Sequence, residues 1–147
     1  MFGKLLGNLF EGAGAKMKRM ENKNQLEALL GGCLLIAYAD GEREDAEVER
    51  IEKLVRANEN LSHFGSEITS IINRFTALLD ADYQVGKLKI LKEIGEIKNR
   101  QEDANEVFAY CLAIAKADGD LEPTEVAELK SLARILNVNP ADYGVQL

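Results

Sequence analysis

The residues best suited to chemistry lie in the stretch Asp118-Gly119-Asp120-Leu121-Glu122-Pro123-Thr124-Glu125. An Asp-Gly pair with a glutamate six residues after the glycine matches the second half of a calcium loop. An EF-hand takes oxygen ligands from loop positions 1, 3, 5, 7 and 12, with glycine at 6. Placing Asp118 at the fifth position puts Gly119, Asp120 and Glu125 where that loop needs them. The first and third positions are then Ile114 and Lys116, neither of which ligates a hard cation, so an EF-hand is excluded. Two readings remain. In one, Asp118-Gly119 is a tight turn and Glu125 caps the following helix, a contribution of about 1 kcal/mol that needs no ligand. In the other, crowded carboxylates from more than one turn converge on a divalent cation, Ca²⁺ or Mg²⁺, which relieves their repulsion.

The elements that must position these residues include a repeat. Residues 33–54 and 111–132 align without a gap at an offset of 78, with half of the 22 positions identical. Cys33 matches Cys111, Asp40-Gly41 matches Asp118-Gly119, and Glu44, Glu47 and Val48 match Glu122, Glu125 and Val126. Each copy reads as a helical hairpin. Val107, Phe108, Cys111, Leu112 and Ala115 form an apolar stripe at helical spacing, and Gly119 follows as a helix stop. Pro123 suits a first helical position, and Glu125 is placed for a capping box. The buried face of that helix reads as Val126, Leu129, Leu132, Ala133 and Leu136. The first copy pairs a helix from Leu29 to Ala39 with one carrying Val48, Ile51, Leu54 and Val55.

Two further helices are predicted between the copies. One starts at Ser66 as its N-cap and buries Ile68, Ile71, Ile72, Phe75, Leu78 and Leu79. The other starts behind Asp82 and buries Val85, Leu88, Leu91, Ile94 and Ile97. Asn139-Pro140-Ala141-Asp142 predicts a short closing turn. No period-2 stretch stands out, so the expected fold class is all-α: one globular domain of about seven helices, pseudo-twofold from its two hairpins. If the main helices alternate in direction, the turns at Asp40-Gly41, Asp80–Asp82 and Asp118-Gly119 share one end. That end is then an acidic pole, with Glu42, Glu44, Asp45, Glu47, Asp120, Glu122 and Glu125 beside them.

Composition narrows the function classes. The 147 residues are 46% hydrophobic and 29% charged, which suits one self-sufficient core. The formal net charge of −7 argues against nucleic-acid binding, which needs a basic surface to displace counterions. Charge is uneven: five basic against two acidic residues give residues 1–24 a net +3, leaving −10 on the remainder. Residues 1–15 read as an amphipathic segment, with Phe2, Leu5, Leu6, Leu9 and Phe10 on one face and basic residues following. Such a segment suits docking on the protein itself or on a partner, or a weak, salt-sensitive contact with anionic lipid. Residues 16–147 form the expected helical domain. No secretory signal or membrane-spanning run is evident, which points to a cytoplasmic chain. Cys33 and Cys111 read as free thiols packed in the core. His63, the single histidine, lies in a polar loop, so a His-based triad or zinc site has no support. A metal-dependent hydrolase built on the same carboxylates is a rival without a recognisable nucleophile.

Three stretches carry a family resemblance: "ADGE" with its acidic helix start, "DADYQVGKLKIL", and "AIAKADGDLEPTEVAELKSLARILNVNPADYGV". Over roughly residues 16–145 the chain resembles the tellurite resistance protein TerB family. The resemblance implies a helical, internally symmetric fold and a non-enzymatic role in resistance to tellurite and other stresses. It implies partners among other stress-resistance proteins and weak association at the inner membrane. The family motif falls on Asp40, Gly41 and Glu47, on Asp82, Gly86 and Lys87, and on Asp118, Gly119 and Glu125. Of these, Asp40, Glu47, Asp82, Asp118 and Glu125 are the expected metal ligands. Arg43-Glu44-Asp45 departs from the small hydroxyl residues often found there, so Arg43 is expected to neutralise part of the pole.

Overall fold

A computed structural model describes residues 19–117 and 119–144. Asp118 and the amphipathic segment 1–15 lie outside the described residues. The described chain is all-helical, as expected: α1 (Lys23–Ala37), α2 (Asp45–Ala57), α3 (Ser66–Ala81), α4 (Tyr83–Gly95), α5 (Gln101–Lys116) and α6 (Pro123–Leu136). Short 3₁₀ turns at Ser62–Phe64 and Pro140–Tyr143 complete it.

Helix α1 is the axis of the fold. Leu26, Ala28, Leu29, Leu30, Cys33, Leu34, Leu35 and Ile36 are all buried, so it is apolar around its circumference rather than along one stripe. The other five helices pack around it. It begins earlier than the apolar spacing suggests, because Asn22 caps it by accepting a hydrogen bond from the Asn24 N–H at 2.8 Å. Helix α5 runs alongside it with Val107, Phe108, Cys111, Leu112 and Ala115 buried, the stripe expected from the sequence.

One helix start and one buried face differ from their expected form. Ser66 is the first residue of α3 and not its cap, because Gly65 takes φ +56° and turns the chain directly into the helix. In α4 the buried face is Gly86, Ile90, Ile94 and, just beyond the helix, Ile97. Val85 and Leu88, expected in the core, are 48% and 68% exposed. Gly86 is the reason. A Cβ there would lie 2.6 Å from the Leu78 carbonyl oxygen, so the bare backbone of α4 is pressed against the end of α3. That approach fixes the rotation of the helix and leaves Val85 and Leu88 outward, while Leu91 packs half-buried against the core.

Helix α6 also differs in one position: Val126 is half-buried, whereas Glu128 is buried beside Leu129, Leu132 and Leu136. The closing turn forms as expected, with the Asn139 side-chain Oδ1 accepting from the Ala141 N–H at 3.1 Å.

Candidate functional site

The helices that follow both Asp-Gly turns start in register with the sequence repeat. Glu44 and Glu122 are the N-cap residues of α2 and α6, and Glu47 and Glu125 occupy the third helical position of each. Gly41 and Gly119 hold φ of +84° and +134°, conformations that L side chains rarely adopt, so both turns require glycine. In the second hairpin Pro123 opens the helix, and Glu125 Oε1 accepts from the Glu122 N–H at 2.8 Å, the expected capping-box bond. In the first, Asp40 Oδ1 accepts from the Glu42 N–H at 3.0 Å and tightens the turn.

The two helix starts face one another across a pocket of about 80 Å³. Ile36, Ala37 and Ala39 form its floor at the end of α1. Asp40, Glu44 and Glu47 line one side, and Glu122, Thr124 and Glu125 the other. Five carboxylates thus share one small concavity, with no basic side chain among its described lining residues. Helix N-termini on both sides turn their positive dipole ends toward it and offset part of the repulsion. Of the expected ligands, Asp40, Glu47 and Glu125 are brought together. Asp82 is not: it caps α4, its Oδ1 accepting from the Val85 N–H at 3.0 Å.

Beside the pocket stands a network that sequence spacing alone did not reveal. Tyr38, buried at the end of α1, donates its hydroxyl hydrogen bond to Asp80 Oδ1 at 3.0 Å. Burial, and then Asp80, push the Tyr38 hydroxyl up to about 12. Arg43 Nη1 bonds Asp80 Oδ2 at 2.6 Å, and its Nε bonds Asp45 Oδ1 at 2.8 Å. The first turn and the α3–α4 turn therefore do meet at one pole, and Arg43 neutralises carboxylates there as its departure from the family pattern implied. Lys87 Nζ pairs with the buried Glu128 carboxylate at 2.6 Å, tying α4 to α6.

The donor set is all oxygen, which suits a hard cation and not a thiophilic one. Among the described residues, no three His, Cys, Asp or Glu side chains stand close enough to grip one metal ion jointly. Carboxylates spread around about 80 Å³ suit an ion that keeps its water shell. A larger groove along Leu91, Lys92, Glu96, Lys98 and Arg134 is open and mixed in charge, without such convergence.

An all-helical domain whose paired Asp-Gly hairpins open onto an acidic pocket defines the class of this protein. The family model described as "Tellurite resistance protein TerB" matches residues 26–146, and the chain belongs to the TerB family. The comparison with curated proteins gives no match, and neither does that with solved structures. Among the described residues, no helix is long and apolar enough to cross a membrane.

Proposed function

We propose that the chain is a non-enzymatic stress-response protein of the TerB type whose acidic pocket binds a hydrated divalent cation, Mg²⁺ or Ca²⁺. The observation that carries this reading is the convergence of Asp40, Glu44, Glu47, Glu122 and Glu125 on one pocket from two hairpins. Capping explains Glu125, and turn geometry explains Asp40. Neither explains why five carboxylates face the same small volume. A divalent ion among them lowers their mutual repulsion, and its waters supply the hydrogen bonds that bridge to carboxylates too far apart for direct coordination. Association with tellurite resistance comes from the family.

Thermal unfolding with and without Mg²⁺ or Ca²⁺ tests the proposal. At 100 times its dissociation constant an ion that binds only the folded chain stabilises it by about 2.7 kcal/mol. Glu47→Gln combined with Glu125→Gln removes most of that response. Glutamine at residue 125 still accepts the capping bond, so the variant separates charge from helix stability. Asp82→Asn leaves the response intact. A midpoint that neither ion moves sinks the cation reading.

A further inference from the structure

Cys33 and Cys111 occupy matching positions of the repeat and meet at the centre of the fold. Their sulfurs are 3.9 Å apart, on α1 and α5. They are 3% and 0% exposed. The Cys33 S–H faces Cys111 Sγ, and the Cys111 S–H donates to the Leu29 carbonyl oxygen at 3.5 Å. A Cβ on Gly32 would lie 2.8 Å from Cys111 Sγ, so that sulfur rests directly on the bare backbone of α1. Core packing alone calls for small apolar groups here. It does not call for two thiols in contact.

A second observation is a small space beside the pair. A cavity of about 10 Å³ adjoins both sulfurs, lined also by Ile36, Ala37, Glu47 and Arg50. That volume has room for about one water molecule. Ile36, Ala37 and Glu47 are also lining residues of the acidic pocket, so the two spaces are neighbours across shared walls. Any small molecule reaching the sulfurs by this side passes a ring of carboxylates. Their field repels anions and leaves small neutral molecules unaffected.

We propose that Cys33 and Cys111 form a buried dithiol that is oxidised to an intramolecular disulfide, with a small neutral hydroperoxide as the oxidant. Cys33, the thiol with residual exposure, reacts first. Its sulfur attacks the peroxide, the O–O bond breaks, and the products are Cys33 sulfenic acid and an alcohol, or water from hydrogen peroxide. Cys111 sulfur then attacks the sulfenic sulfur, the S–O bond breaks, and the departing oxygen leaves as water with the Cys111 proton. Burial, and then Cys33 beside it, push the Cys111 thiol up, which disfavours it as the thiol that attacks the peroxide first. Bond formation at about 2.0 Å requires the sulfurs to swing together about their Cα–Cβ bonds.

The test treats the folded full-length chain with hydrogen peroxide and follows intact mass, then maps peptides without reduction. The expected product is lighter by two hydrogens, contains one Cys33–Cys111 cross-linked peptide, reverts with dithiothreitol, and unfolds at a higher temperature than the reduced chain. In Cys111→Ser, Cys33 stops at the sulfenic acid and is captured by dimedone. In Cys33→Ser, Cys111 stays reduced. The proposal is overturned by thiols that survive peroxide for as long as the fold persists. It is equally overturned by oxygen added to either sulfur of the wild type without a cross-link, by cross-links between chains, or by a disulfide that forms only in urea.

Discussion

The two Asp-Gly hairpins share half their aligned residues, yet the remaining positions put them to different uses. At the position after Gly41 and Glu42 the first carries Arg43, which reaches Asp45 and Asp80; the second carries Leu121, packed against the core. Tyr38 of the first is buried and bonded to Asp80, whereas the aligned Lys116 is exposed. Arg50 donates to the Ile114 carbonyl oxygen at 3.3 Å, whereas the aligned Glu128 is buried and holds Lys87. What both keep are the glycine, the N-cap glutamate and the glutamate at the third helical position, the last two of which line the pocket. The shared residues build the acidic concavity, and the divergent ones attach each hairpin to a different neighbour.

The largest test of that division is Lys87→Met. It leaves the Glu128 carboxylate buried without its cation, at a cost of about 3 kcal/mol in urea unfolding. Arg50→Met, at the position aligned with Glu128, removes the guanidinium's bond to the Ile114 carbonyl oxygen and is expected to cost less, about 1 kcal/mol. Equal losses would mean that the two hairpins are anchored alike and that the contrast drawn between them is wrong.

Much of this contrast was legible before any coordinates. The Asp-Gly turns, the start of α6 at Pro123 and the Glu125 cap follow from local chemistry, so spacing alone locates them. The meeting of Asp40, Glu47 and Glu125 was expected from helix parity. The rotation of α4 was not legible, because it depends on Gly86 touching the Leu78 backbone, a contact between elements that apolar periodicity cannot encode. Glu128 was missed for a related reason: a carboxylate on an apolar face reads as exposed until its cation, 41 residues away, is placed beside it. Tyr38 carried one signal, an aromatic in the Ala-x-Ala-Asp-Gly motif where the second copy has lysine.

Tyr38→Phe sharpens the comparison further. Removing the hydroxyl breaks its bond to the Asp80 side chain and costs about 1–2 kcal/mol. Lys116→Ala changes stability by less than about 0.5 kcal/mol, as for other exposed positions. The alkaline limb gives a second readout. A hydroxyl raised to about 12 in the fold, against about 10 unfolded, contributes stability that is complete below pH 10. That contribution is lost as pH rises through about 12. Tyr38→Phe therefore flattens part of the fall across that window, while Tyr83, Tyr110 and Tyr143, all pushed up by burial, maintain the remainder. An unchanged alkaline limb would remove Tyr38 from the attachment of the first hairpin.

Arg43→Leu, which gives the first hairpin the residue of the second, has the smallest expected effect on stability. Its two ion pairs are half-exposed, and such pairs contribute about 0.5 kcal/mol, less at high salt. Its effect on ion binding runs the other way. Without the guanidinium, Asp45 and Asp80 add uncompensated negative charge next to the pocket, so divalent affinity rises as stability falls slightly. Opposite signs in the two measurements are what separate an internal counter-ion from a structural tether. If stability falls and ion affinity falls with it, Arg43 instead shapes the turn that carries Asp40, and the acidic pocket depends on the first hairpin's divergent residues as well as its shared ones.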